Sequence, residues 1–294
     1  MVHRPNLMHK IFAVLTIIAI LAAGVFLYRD FSRPYILHDL RFDTSDISQR
    51  HLHLRLLLPK GKTGPFPLVI INHGSPSSRQ GREQLNDLRF TVLSEWFLHR
   101  GFTVAIPLRR GYGTGGGEWN EHYVSCDTPH YFRAGLETAK DIIAAQKFLT
   151  HRSDIIPDKT IIIGQSAGGW GALAVASLNP TGIIGIVNFA GGRGGIAAHK
   201  LHHNCNASEL IWAAGTYGKT ARIPSLWLYA ENDNSFPPEL VNAMFNAYQS
   251  DNDTAFLYIV PPVGDNGHHM AMNKEGQSRW EKPLGLFLGD IIPQ

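Results

Sequence analysis

At 294 residues the chain can fill one large α/β domain or two small ones. Its 44% hydrophobic and 17% charged content is globular rather than disordered, and a net charge of +3 with no run of Lys or Arg offers a nucleic acid no footing. Two cysteines, Cys126 and Cys205, with no C-x-x-C pair, exclude a zinc ribbon or a thioredoxin-type motif and leave room for one disulfide.

Residues 11–27 contain no charge and are flanked by Arg4, Lys10 and Arg29. That length is at the low end for a membrane span and long for a signal-peptide core, and the small-residue cluster Ala22-Ala23-Gly24 lies inside the run. The expectation for residues 1–33 is an uncleaved signal anchor, with a cleaved signal peptide as the alternative. Either exports the single domain expected at 34–294, leaving it membrane-anchored through residues 11–27, or secreted or periplasmic.

Residues 51–58 partly alternate polar and apolar, as an antiparallel edge strand does. Residues 67–71 form the first clearly buried strand and end in Asn72-His73-Gly74-Ser75-Pro76. Apolar positions at Leu85, Leu88, Val92, Leu93, Trp96 and Phe97 predict a helix over 85–99, followed by a strand at 102–106 and a long helix at 131–149. The β-branched run 160–163 enters Gly164-Gln165-Ser166-Ala167-Gly168, with Gly169 behind it and a helical stretch over 168–178. Strands at 182–189, 225–229 and 255–260, a helix at 238–248 and an amphipathic helix near 278–288 complete the chain. Strands alternating with helices predict a mostly parallel central sheet with helices on both faces. The long interruption at 191–223 holds Gly-Gly-Arg-Gly-Gly and a His-rich patch, and is expected to be a short cap insertion or pocket wall above the strand ends.

Strand, sharp turn and helix turn the G-x-S-x-G match into a nucleophile elbow. A serine in a strained turn needs neighbours with almost no side chain, and at a helix N-terminus it meets free N–H groups and a favourable dipole. Serine alone is a weak nucleophile; it needs a base, and the base an orienting carboxylate. Strand 225–229 is followed by Ala230-Glu231-Asn232-Asp233, and strand 255–260 by Gly264-Asp265-Asn266-Gly267-His268-His269. The order Ser166, Asp233, His268 is that of a hydrolase triad, with each partner after a later strand. Asp233 is favoured over Glu231, which is closer to its strand, and His268 over His269, because Gly267 frees the backbone before it. The oxyanion hole is expected from the N–H groups of Ala167 and of Ser75, in the loop after the first buried strand.

The segments His73-Gly74-Ser75-Pro76, Arg109-Arg110-Gly111-Tyr112-Gly113, Gly164 to Gly169, Tyr229 to Asp233 and Gly267-His268 resemble the α/β-hydrolase superfamily. The likeness is greatest to dienelactone-hydrolase-type and related esterase/peptidase members, over roughly residues 67–270. This resemblance implies the α/β-hydrolase fold and a serine hydrolase. Dienelactone hydrolases proper use a cysteine nucleophile, so Ser166 favours general ester chemistry on a small or medium acyl substrate. A serine peptidase of prolyl-oligopeptidase type, acting on a short peptide, is the runner-up; a non-catalytic scaffold would have no need of all three triad residues.

Two other patterns compete less well. Gly111-Tyr112-Gly113-Thr114-Gly115-Gly116 fits G-x-G-x-x-G but leads into Glu118-Trp119-Asn120 rather than a helix, against a dinucleotide site; Arg109 or Arg110 is expected to brace this loop. His199, His202, His203 and Cys205, with His122 and Cys126, lack regular ligand spacing, so no metal or other cofactor is expected. Cys126 and Cys205 lie in loops that project from one sheet edge, and in an oxidising compartment they are expected to form a disulfide pinning the insertion against the Gly-rich loop.

Overall fold

Isoleucine, valine and leucine run almost unbroken through the central strands, as in a sheet covered on both sides. The computed structural model describes residues 14–18, 34–43, 52–86, 90–195, 201–250 and 253–292. Eight strands form one sheet: β1 (Tyr35–Phe42), β2 (Leu52–Pro59), β3 (Phe66–Asn72), β4 (Thr103–Leu108), β5 (Ile155–Gln165), β6 (Ile183–Phe189), β7 (Ser225–Ala230) and β8 (Ala255–Val260). Their order is β1-β2-β4-β3-β5-β6-β7-β8. Strand β2 is antiparallel to β1 and β4, and the other pairings are parallel.

The helices are α1 (Arg79–Glu83), α2 (Thr91–His99), α3 (Tyr131–Leu149), α4 (Ala167–Leu178), α5 (Ala207–Thr220), α6 (Pro238–Gln249) and α7 (Lys274–Ile291), with a 3-10 helix at Gly267–Met272. Alternating strand residues divide the core between them. Ile70, Ile162, Ile186 and Trp227 pack under α3, α4, α5 and α6, whereas Val69, Ile161, Ile163 and Leu226 pack under α2 and α7. Helix α4 is buried from Ala167 through Ala176, and its Trp170 also donates Nε1–H to the Tyr131 carbonyl at 2.9 Å. Burying an indole of that size contributes on the order of 4 kcal/mol before entropy is counted. A polar substitution on this helix would attack the segment that carries Ser166.

Three expectations need correction. Strand β2 is not at the edge, because β1 pairs along its whole length from Tyr35↔Pro59 to Phe42↔Leu52. Strand β1 carries His38, Asp39 and Arg41, and only Phe42 is buried, so it lacks the apolar signal of the inner strands. The helix expected over 85–99 begins at Thr91; Leu85 lies outside it, and residues 87–89 lie outside the described residues. Within 191–223, Ala207–Thr220 is the crossover helix between β6 and β7 rather than a cap. Its Leu210, Ala213, Ala214 and Tyr217 are buried in the core, so it cannot lie over the strand ends as a lid.

Cys126 and Cys205 form a disulfide with Cα atoms 5.0 Å apart. The Cys205 N–H donates to the Gly194 carbonyl at 2.8 Å, and the Tyr131 hydroxyl donates to the Cys205 carbonyl. The bridge ties the chain after β6 to the loop before α3. Residues 14–18 are helical, and the rest of the apolar run 11–27 lies outside the described residues. Among the described residues no helix is long and apolar enough to cross a membrane.

Candidate active site

The C-terminal ends of β3, β5, β7 and β8 bring the expected residues to one place. At the end of β5, Ser166 has φ 55° and ψ −119°, a left-handed conformation that costs a non-glycine residue on the order of 1–3 kcal/mol. Packing holds it there. The Ser166 N–H donates to the Phe189 carbonyl at 3.0 Å, and its own carbonyl accepts from Trp170 at 2.9 Å and Gly192 at 3.2 Å. A Cβ on Gly168 would stand 2.3 Å from the Asn72 carbonyl oxygen, so only glycine lets α4 start against the end of β3. The same closeness sets Gly74 beside the serine: a Cβ there would be 3.2 Å from the Ser166 Cβ.

Asp233, after β7, is wholly buried. Its Oδ1 accepts from the Ser235 N–H at 2.7 Å and the Phe236 N–H at 3.1 Å, and both carboxylate oxygens lie 3.0 Å from His268 Nδ1. A carboxylate only accepts, so Nδ1 carries the proton and Nε2 is left with its lone pair. His268 is fixed through its backbone as well. Its N–H donates to Asn266 Oδ1 at 3.1 Å, and its carbonyl accepts from Gln165 Nε2 at 3.0 Å. Gln165 thus joins the serine turn to the histidine loop, a role its place inside G-x-S-x-G did not suggest. His269 and Glu231 stay on the surface, outside the Asp233–His268 pair.

Ser166 and His268 line one cavity of about 900 Å³, together with Gly74, Ser75 and Ala167. Among the described residues neither the Ala167 nor the Ser75 N–H has an acceptor, so both are available to a bound oxygen. The Ser166 hydroxyl makes no hydrogen bond to His268 in this state. Such bonds often tighten only when substrate is present.

Beneath the cavity lies a buried ionic layer. Arg109 pairs with Glu121 through Nε and Nη2, and its Nη1 donates to the His73 carbonyl at 2.7 Å. Arg193 Nη2 donates to Glu121 Oε2 at 2.8 Å and to Thr138 Oγ1 at 2.9 Å. The Tyr112 hydroxyl is 2.8 Å from both Glu121 Oε2 and Ser75 Oγ, which links the layer to the loop after β3. Burial alone would raise the Glu121 carboxyl, but the Arg109 and Arg193 guanidiniums hold it well below the usual range. Burial, reinforced by Arg109, lowers His73 to about 3 and keeps its ring neutral. Its Nδ1–H then donates to the Gly74 carbonyl at 2.7 Å, while Nε2 accepts from the Arg109 N–H at 3.3 Å. Arg110 braces the other side of the loop by pairing with Asp141 and Glu137. Glu121 and Arg193 were not singled out by the sequence, and Tyr112 only as part of the segment 109–113; the available signal for Arg193 was its place among four glycines.

Cys126 and Cys205 are committed to the disulfide, and His199 lies outside the described residues. Among the described residues, no group of three His, Cys, Asp or Glu side chains is disposed to hold a metal ion.

A model of the prolyl oligopeptidase family matches residues 88–182. No curated protein matches the chain by sequence. Among solved structures, an acylaminoacyl peptidase from Pyrococcus horikoshii is similar with a TM-score of 0.65 at 14% identity, over 89% of this chain and 42% of that one. An esterase from Pyrococcus furiosus gives 0.59 at 18% identity, over 87% and 93% of the two chains. A provisionally assigned dienelactone hydrolase from Klebsiella pneumoniae gives 0.59 at 17%, over 87% and 100%. The chain therefore spans the smaller proteins nearly end to end and about two-fifths of the peptidase. At these identities the likeness is one of fold. The chain has the α/β-hydrolase fold, and its resemblance to that superfamily holds.

Proposed function

We propose that the protein is a serine hydrolase that cleaves ester bonds of a small or medium acyl substrate. Ser166 attacks the carbonyl carbon, and His268 Nε2 takes the hydroxyl proton. Asp233 holds the imidazole in the tautomer this requires and stabilises the imidazolium that forms. The carbonyl oxygen becomes an oxyanion facing the N–H groups of Ala167 and Ser75. His268 returns the proton to the departing alkoxide, leaving an acyl-enzyme, and water activated by the same nitrogen releases the acid. The observation that carries the reading is a strained, cavity-facing serine sharing its pocket with an imidazole whose other nitrogen lies on a buried carboxylate.

A peptidase reading is favoured by one specific observation, the match of residues 88–182 to the prolyl oligopeptidase family. The two separate experimentally. A fluorophosphonate probe should label the wild type at Ser166 and leave Ser166→Ala unlabelled; an unlabelled wild type would sink both readings and leave a scaffold. Turnover of p-nitrophenyl esters of increasing chain length, set against aminoacyl anilides, then decides between esterase and peptidase. Export is part of the proposal. The disulfide suits an extracellular or periplasmic compartment, and residues 11–27 have the composition of an anchor or signal. Full-length protein that pellets with membranes would support the anchor, and mature protein beginning near Val25 would support a cleaved signal.

A further inference from the structure

Among the described residues the cavity is lined by two fixed charges, both positive, the guanidiniums of Arg82 and Arg193. No Asp or Glu lines it among the described residues, and the remaining ionisable groups on its wall are the histidines 73, 122, 268 and 269, of which His73 is neutral. Among the described residues neither guanidinium has a carboxylate to itself. Arg82 stacks over the Trp119 ring at 3.7 Å and donates to the carbonyls of Pro76 and Ser77, with no carboxylate partner among the described residues. Arg193 and Arg109 share one carboxylate, that of Glu121, while His73 beside them is neutral. Two buried guanidiniums thus contact a single carboxylate at the cavity floor. In the neighbouring cluster Asp141 and Glu137 are in direct contact with Arg110, and Glu137 also with the exposed Lys140, so neither carboxylate bonds Arg193.

Arg193 also has donors to spare. It is only 5% exposed, and among the described residues its two side-chain hydrogen bonds both use Nη2. Among the described residues its Nε is a buried donor without an acceptor, and Nη1 makes no hydrogen bond. An unpaired buried donor is destabilising, and more so on a charged group. Arg109 by itself gives Glu121 a two-pronged partner.

We propose that the cavity accepts substrates bearing a carboxylate, and that Arg193 is the cation that selects them. The inference rests on the serine hydrolase reading, and names the substrate class for the same site. An aminoacyl or N-terminal peptide substrate, whose ammonium would meet two guanidiniums and no carboxylate on the described cavity wall, is correspondingly disfavoured. Arg193 acts as a specificity residue, and the chemistry at Ser166 is as described above.

Two matched ester pairs test this. Mono-p-nitrophenyl glutarate and its neutral amide counterpart differ by one charge on the acyl side; 4-acetoxybenzoate and 4-acetoxybenzamide differ by one on the leaving group. In the wild type, kcat/KM should favour the anionic member of at least one pair by tenfold or more. Arg193→Gln should bring that ratio towards one, and Arg193→Lys should retain part of it. Near-equal rates within both pairs would overturn the proposal, and so would a preference that survives Arg193→Gln. Should Arg193→Gln fail to fold, free glutarate must still inhibit the wild type at concentrations where glutaramide does not; equal inhibition is also fatal. Loss of neutral-ester turnover in Ser166→Ala tests the underlying mechanism separately, so the two failures can be told apart.

Discussion

Replacing Asp233 with Asn removes a charge while preserving shape, and the hydrogen bonds around the carboxylate fix how the amide must lie. In the wild type Oδ1 accepts from Ser235, Phe236 and His268, and Oδ2 accepts from His268 alone. The Asn carbonyl will take the Oδ1 position, because two backbone N–H groups point at it. Its amide nitrogen must then face His268 Nδ1 as a donor. That reverses the tautomer: Nδ1 becomes the acceptor, the proton moves to Nε2, and Ser166 has no base. The expected loss in kcat/KM is about 10⁴-fold, or ~5.4 kcal/mol on the barrier. Stability should fall by only about 1–2 kcal/mol, since the backbone bonds persist in weaker form. Steady-state hydrolysis of a p-nitrophenyl ester reads the first figure, and urea denaturation the second. The rate of fluorophosphonate labelling should drop alongside turnover. If Asp233→Asn retains turnover within threefold of wild type, the tautomer reasoning fails; a large loss in Glu231→Gln instead would move the carboxylate by two positions.

His268→Ala should lose activity on the scale of Asp233→Asn, with His269→Ala losing less than tenfold; the reverse ranking in the same ester assay would reassign the base. His73 titrates at about 3 in the fold, below its ordinary 6.5, so the unfolded chain takes up the proton first on acidification. Its contribution to stability is complete above pH 6.5 and is lost as pH falls towards 3, which between pH 6.5 and pH 4 amounts to roughly 3 kcal/mol. Asp141, pushed up to about 6 by burial, works oppositely and favours the fold as pH falls from 6 towards 3.8. The comparison is therefore with His73→Asn, which should lose roughly 3 kcal/mol less than wild type between pH 7 and pH 4; equal losses in urea titrations would show that His73 is not held neutral. Breaking the disulfide with Cys126→Ser plus Cys205→Ser should cost about 4 kcal/mol by chain entropy for a separation of 79. Two alkylatable thiols in exported wild-type protein would remove the basis for that figure.

The parts of the site that could be read in the sequence sit at strand ends with their own local marks. Ser166 lies among glycines, Asp233 three residues beyond an apolar strand, and His268 after Asn266-Gly267. The fold was legible for the same reason, since Val, Ile and Leu runs of strand length alternate with helical stripes. The ionic layer was not. Glu121 meets Arg109 from 12 positions away and Arg193 from 72, across loops with no period, so the sequence does not state which charge is buried or with whom. Strand β1 is hard to read because an edge strand with His38, Asp39 and Arg41 on its surface resembles a loop. Helix α5 reads as part of a cap because glycines and histidines precede it, although Leu210, Ala213, Ala214 and Tyr217 have helical spacing.

The bond between Cys126 and Cys205 makes a closed covalent ring of the chain from the Gly-rich loop to the start of α5. Ser166 is inside that ring, with the whole of α3, β5, α4 and β6, while Asp233 and His268 are outside it. A single backbone cut between the two cysteines therefore opens the ring without dividing the molecule. The nicked protein would keep its mass of 32.6 kDa under non-reducing conditions and separate into two pieces only when a thiol is added. The serine could stay joined to its aspartate and histidine through sulfur after its own direct peptide connection to them had been severed.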